Sequence, residues 1–365
     1  IGSVNGIFGS AIPDPGLPLP IGISFFTFQS MSYTIDLYRR NIKVQKNFID
    51  FAAFVTMFPQ IVAGPIVRYE DVSAQLACRR IDLRSMSDGI TRFVCGMCKK
   101  VLIANSIGAL WTDVKAQDYA SMPAATAWLG IAAFTLQIYF DFSGYSDMAI
   151  GLGKMLGFDF PENFRYPYNS KSIAEFWRRW HITLGDWFKS YVYFPLGGSR
   201  GSTAATIRNT LIVWLLTGLW HGASWNFILW GLYYGVLIIL EKFVFRRLLE
   251  RTPSALRHIL TMLAVVFGWV IFEITSPASE LEFVKAMLGF GGSFANSFTI
   301  NALHNYAVTF IAAIAISTGI PLKICKKLPE KRADTLSLVG EAAGMTACIA
   351  CLVDSGYNPF LYFNF

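Results

Sequence analysis

Charge-poor apolar runs recur along most of this chain, at residues 19–37, 48–67, 89–110, 124–152, 207–220, 225–245, 259–275, 306–322 and 336–353. A helix needs about 20 apolar residues to cross a hydrocarbon core of about 30 Å, and most of these runs come close to that length or pass it. Lipid offers no hydrogen bonds, so a spanning backbone must satisfy its own N–H and C=O groups, and an open chain does so only as α-helix. The runs therefore predict an all-α, polytopic membrane protein. Composition agrees: 54% of the 365 residues are hydrophobic and only 15% charged, against about 25% charged in a typical soluble domain. Some runs contain Gly and Pro, as in "FPQIVAGPIV" (58–67). Such breaks are tolerated at membrane depth only where protein covers the freed backbone groups. No repeat, linker or low-complexity tail divides the chain, so residues 1–365 read as a single membrane domain.

The formal charge is +7. A nucleic-acid binder would gather that excess on one solvated face. Here it falls in short clusters between apolar runs, at 39–46, 246–258 and 323–332. This is the cytoplasmic Lys and Arg excess that orients membrane helices, and no nucleic-acid partner is expected. Clusters 246–257 and 323–332 are then cytoplasmic, run 259–275 leads outward, 306–322 returns, and 276–304 lies outside. The C-terminal "YNPFLYFNF" is expected at the outer interface, where aromatic rings are favoured. The six cysteines do not form a disulfide framework. "CGMC" (95–98) and "CIAC" (348–351) have the CxxC spacing of zinc ligands. Both sit inside apolar runs, however, where small residues serve helix packing, and no metal is expected. The chain opens at Ile1 with no charged segment, apolar segment and cleavage site in series, so no signal peptide is read.

The longest charged interruption is residues 161–202. Phe176, Trp177, Trp180, Leu184, Trp187, Phe188 and Tyr191 recur at three- and four-residue steps, which predicts an amphipathic helix lying in the interface. Lys and Arg at 171, 178, 179, 189 and 200 put it on the cytoplasmic side.

Three polar features remain inside apolar sequence. His221 stands in "LTGLWHGASWNFILWGLYYG" (216–235). The run before it, 207–220, would be roughly 21 Å long as a helix, short of a full crossing. The next run returns to Arg246 and Arg247, so His221 is expected at the top of a hairpin within the membrane thickness. It could be a histidine hydrogen-bonded between helices, or a functional group on a buried pathway. His181 ends "EFWRRWH" and could be an ordinary interfacial residue; if the fold brings it to His221, one cavity wall would carry both. In "LQIYFDFSGYSDMAIG" (136–151), Gln137, Asp141 and Tyr145 share a helical face, and Ser143 and Asp147 make a second polar line. The carboxylates should face a cavity, each other, or Lys and Arg, as a clamp between helices or as a substrate contact. No P-loop, GxGxxG, GxSxG or HExxH is present.

Taken together, "PIGISFFTFQSMSYTIDLYR", "FPQIVAGPIVRYED", "YFDFSGYSDMAIGLGKMLGFDFPENFRYPY", "SIAEFWRRWHITLGDWFKSYVYFPLGGSR", "LTGLWHGASWNFILWGLYYG", "FGWVIFEI" and "NPFLYFNF" resemble the membrane-bound O-acyltransferase family. Within it they resemble the bacterial branch that acetylates polysaccharides of the alginate type. The pair "FWRRWH" and "GLWHG" is specific to the family; "YFPLGGSR" and "WHGASWNFILWG" favour the acetylating over the D-alanylating branch. The resemblance implies a helical ring of about nine to eleven membrane segments with amphipathic interfacial helices, in a bacterial inner membrane. It implies that His221 is catalytic and His181 the second signature residue. It implies an acetyl group taken from a cytoplasmic thioester donor, acetyl-CoA, with no tightly bound cofactor. The partners implied are the bilayer, an extracytoplasmic acetyltransferase protein and a polysaccharide acceptor. Family members usually begin with about three further apolar segments, so the chain is expected to be N-terminally incomplete. Two other readings stay open: a proton-coupled transporter using the same buried residues, and a non-catalytic scaffold of a polysaccharide-export complex.

Overall fold

The computed structural model of the chain describes residue 9 and residues 22–61, 64–325 and 327–354, and no strand occurs among them. The segment "YNPFLYFNF" lies outside the described residues. Helix α1 is Ile23–Tyr38, α2 Phe48–Thr56 and α3 Tyr69–Ala77. The long α4, Leu83–Lys115, follows, and then the 32-residue α5, Ala124–Met155. Two short helices, α6 Ile173–Trp177 and α7 Ile182–Phe188, lead to a hairpin of α8, Thr203–His221, and α9, Trp225–Val244. Beyond it come α10 Arg246–Arg251, α11 Ser254–Glu273, α12 Pro277–Met287, α13 Ser297–Ser317, α14 Ile320–Cys325 and α15 Glu330–Asp354.

Among the described residues, five helices are long and apolar enough to cross a membrane: α4, α9, α11, α13 and the segment Lys331–Val353 of α15. Large apolar side chains on the last two point away from the protein, with Val308 79% and Val353 82% exposed. In water such stripes would be a liability; in a bilayer they are the surface that lipid covers. Some expected runs differ from the helices that form. Residues 48–67 are not one helix: α2 ends after nine residues, where Met57 turns extended ahead of "FPQ". Run 207–220 is longer than expected, because Ser202 caps α8 by accepting from Ala205 N–H. The helix then has 19 residues, roughly 28 Å. Run 306–322 begins earlier, at the Asn296 cap, and stops at Ser317.

Helix α5 is the internal post. More than half of its residues are buried, and α4 packs antiparallel along it. Close approach is set by glycine: a Cβ on Gly96 would lie 2.5 Å from the Gly144 carbonyl oxygen, so nothing larger fits. Midway, α4 widens into one π-helical turn, Lys99–Ala104, a local change often found near functional positions. The turn brings two consecutive lysines to α5. Lys99 Nζ lies 2.5 Å from Asp147 Oδ2, and Lys100 pairs with Asp141. Arg92 adds a 2.6 Å contact to Asp147 and another to Glu162. Asp141 and Asp147 therefore form a clamp between helices. The two CxxC segments meet through one cysteine of each, Cys98 and Cys348, with sulfurs 3.8 Å apart.

Candidate active site

The expected single amphipathic helix over 161–202 is instead a broken path. Pro167–Asn169 makes one 3-10 turn, and α6 and α7 are separated by His181 in the left-handed region, with φ 43°. Aromatic periodicity runs through this break undisturbed, which is why the sequence reads as one helix. The break is held by segment 161–166 ahead of α6: Arg165 N–H donates to the Arg179 carbonyl and Ile182 N–H to the Asn163 carbonyl. A non-glycine residue at positive φ costs about 1–3 kcal/mol and persists where the surroundings over-determine it, commonly at functional sites. The aromatic face is turned into protein: Phe176, Trp180, Trp187 and Phe188 are all buried.

His181 is 2% exposed. Its Nδ1 lies 3.1 Å from Asn163 Oδ1, and its Nε2 is buried with no hydrogen-bond partner. Phe142 of α5 stands edge-on to its ring at 4.8 Å. Asn163 is fully buried. Its Oδ1 also accepts from the Thr183 hydroxyl at 3.0 Å, and its Nδ2 donates to Ser146 Oγ of α5 at 3.1 Å. Thr183 Oγ1 in turn accepts from Ile66 N–H at 2.9 Å.

His221 is the last residue of α8, at the hairpin top where the sequence puts it. Gly222 follows because a Cβ there would lie 2.7 Å from the Phe227 ring. The imidazole is half-buried in an aromatic collar of Trp220, Trp230 and Phe272, with ring centroids 4.9, 5.0 and 5.3 Å away. Its Nδ1 is buried without a hydrogen-bond partner. Asn226 steadies one wall, since its Nδ2 donates to the Phe272 carbonyl at 2.8 Å.

The fold brings the two histidines to one residue. Trp220 contacts His221 and also His181, the latter at 5.9 Å. A cavity of about 190 Å³ is lined by His181, Trp177, Trp180, Trp214, Thr217 and Lys189 among others; His221 is not part of the lining of this cavity. Asp141 and Asp147 face α4, away from this basin. Neither Asn163 nor Thr183 stands out in the sequence. Position offers little signal: Thr183 lies just past the histidine break, but Asn163 precedes His181 by 18 residues. Among the described residues, no three His, Cys, Asp or Glu side chains gather as metal ligands.

Such a site can do proton chemistry. A neutral imidazole whose bare nitrogen is left unpartnered in an apolar, aromatic pocket can accept a proton from a hydroxyl that reaches it.

The membrane-bound O-acyltransferase family model matches residues 25–279. The chain belongs to this family. It is 48% identical over 273 residues to a protein of Pseudomonas aeruginosa named probable alginate O-acetylase, covering 75% of this chain and 52% of that one. It is 35% identical to the peptidoglycan O-acetyltransferase of Helicobacter pylori, with 76% and 58% covered. It is 28% identical to the teichoic acid D-alanyltransferase of Bacillus subtilis, with 69% and 68% covered. The chain thus spans little more than half the length of the acetylating relatives. Family and apolar helices together make it a multi-pass membrane protein.

Proposed function

We propose that the chain carries the active site of a membrane-bound O-acetyltransferase. It moves an acetyl group from a cytoplasmic thioester, acetyl-CoA, to a hydroxyl that serves polysaccharide acetylation outside the cell. The observation that carries this reading is the pair of histidines held against Trp220, each with a buried nitrogen left unpartnered. Buried polar atoms are almost always hydrogen-bonded, so an orphan in a pocket asks for a ligand. The family and its acetylating relatives supply the reaction class.

His221 is the general base. It takes the proton of the acceptor hydroxyl as that oxygen attacks the thioester carbonyl. The carbon–sulfur bond breaks as the carbon–oxygen bond forms, and the proton passes to the departing thiolate. Proton transfer of this kind contributes about 10²–10⁴-fold. His181 is the second residue of the site, on the cavity where the thioester arm enters. Lys189, exposed on the same cavity, attracts the donor's phosphates. The acceptor is a hydroxyl of an extracytoplasmic acetyltransferase partner or of the polysaccharide itself, and no tightly bound cofactor is needed. The setting is a bacterial inner membrane, with nine to eleven segments in a ring around the site.

The test uses the full-length protein in membranes with radiolabelled acetyl-CoA, wild type beside His221→Ala. Label should pass to partner protein or polysaccharide in wild type and fall at least about 100-fold in the variant at equal expression. A variant that keeps transferring would remove His221 from the chemistry.

A further inference from the structure

The contacts of His181 decide which of its two nitrogens carries the proton, and Asn163 makes the decision. Thr183 Oγ1 accepts from the Ile66 N–H, so its own hydrogen is free to go to Asn163 Oδ1 at 3.0 Å. The Thr183 backbone N–H, which can only donate, points to the same atom at 3.4 Å. The Asn163 atom facing His181 is therefore the oxygen; an amide turned the other way would set NH₂ against N–H. An oxygen can only accept, so the His181 Nδ1 at 3.1 Å must be the donor. The Asn163 amide nitrogen is spent on Ser146 Oγ. With Nδ1 protonated, the neutral ring has a bare lone pair on Nε2, which is buried and unpartnered.

We infer that Asn163 is a positioning residue that locks His181 in the Nδ1–H tautomer, which makes His181 a proton acceptor in the site. This inference rests on the acyl-transfer reading and narrows it. A neutral ring so held has no N–H to offer the thioester carbonyl. It can orient the acceptor hydroxyl through Nε2 or take a proton from it. The lock is built from four parts of the chain: the backbone at Ile66, segment 161–166, the start of α7 and α5. Asn163 and His181 are both essentially sealed from solvent. The titratable groups nearest the site are His221, across Trp220, and Lys189, on the cavity that His181 lines.

Two measurements test it on the full-length protein. The first is ¹⁵N NMR of the histidine-labelled protein, with His181 assigned by its loss in His181→Gln; this sequence has four histidines in all. Wild type should show a protonated Nδ1 and a bare Nε2, and Asn163→Leu a mixture. A protonated Nε2 in wild type would overturn the inference. The second is acetyl transfer. Asn163→Leu should lose about 100-fold or more in kcat, with donor KM within about twofold. Asn163→Asp keeps an acceptor for Nδ1–H but adds charge, which favours the imidazolium. It should retain more activity than the leucine variant, with the acid limb of its pH–rate profile moved up by about one unit or more. An unshifted profile in Asn163→Asp, or full activity in Asn163→Leu, also overturns it. If wild type transfers no label yet shows the Nδ1–H ring, the acetyl-transfer reading fails and the positioning role stands.

Discussion

Helix α5 carries two polar regions on opposite sides, built from neighbouring residues. Asp141 and Asp147 face α4, where Lys100, Lys99 and Arg92 meet them. Phe142 and Ser146, one step along in sequence, face the histidines: Phe142 packs on His181 and Ser146 holds Asn163. In the first region each carboxylate has a cation. In the second, neither imidazole has a hydrogen-bonded carboxylate or cation among the described residues, and two ring nitrogens are left over. Charge at membrane depth is costly and is retained where it is paired or functional. Completeness separates the two cases here. The saturated seam holds helices together, and the unsaturated basin is where a substrate can complete the bonding.

The largest expected effect that divides them on stability is Asp147→Ala. It strands Lys99 and removes half of the Arg92 pairing. Breaking a buried pair from one side costs about 3–5 kcal/mol; the partial exposure of Lys99 and Arg92 puts this case at the low end. Thermal unfolding in detergent should show the loss, while acetyl transfer per folded molecule stays within about twofold of wild type. His221→Ala should do the reverse, losing transfer with little change in unfolding. Should Asp147→Ala stop transfer in protein that is still folded, the seam belongs to the site and the division fails.

A double replacement sharpens the same point. Asp141→Leu alone leaves Lys100 buried without its carboxylate and should cost about 3 kcal/mol. Asp141→Leu with Lys100→Met replaces the pair by apolar side chains of similar size, which is commonly neutral. The double variant should unfold within about 1 kcal/mol of wild type. If it is as unstable as the single one, the pair does more than clamp.

Gly218→Ala probes the hairpin that carries His221. A Cβ there would lie 2.3 Å from the Phe227 carbonyl oxygen, a backbone atom that cannot step aside. Helices α8 and α9 must separate, at a cost of about 1–3 kcal/mol. Transfer should fall with it, because the collar around His221 comes from both arms. An alanine variant with wild-type melting and transfer would mean that the close approach is dispensable.

The unequal legibility of these regions has a physical basis. Hydrophobic run length is read from composition, so the spans α4, α9, α11, α13 and α15 were visible, although α13 begins at Ser297, well ahead of the run expected from 306. The turn at His221 was visible because two apolar runs flank "HGAS" with basic residues at both far ends. The break at His181 was hidden, because a left-handed histidine leaves no glycine or proline behind and the aromatic spacing continues across it. The pairing of Asp141 and Asp147 was expected only as one of several outcomes, since helix–helix register cannot be read from one strand of sequence. Asn163 was hidden for the same reason: its role exists only once segment 161–166 lies beside the start of α7.

The smallest effect concerns how the donor reaches the basin. Lys189 follows α7 directly, is exposed, and lines the His181 cavity. Its Nζ sits 5.7 Å from the Phe194 ring centroid, with no carboxylate among the ion pairs of the described residues. A single exposed cation near an anionic ligand is worth about 1 kcal/mol or less, so Lys189→Ala should raise donor KM by about fivefold at most and leave kcat unchanged. The effect is Coulombic between solvated groups, so it should shrink as salt rises and the screening length falls from about 10 Å at 0.1 M to about 3 Å at 1 M. A KM that does not move, or a rise that survives high salt, would place the donor's phosphates elsewhere. A fall in kcat instead would mean that Lys189 acts on the reacting thioester, and the boundary of the unsaturated basin would have to be drawn to include it.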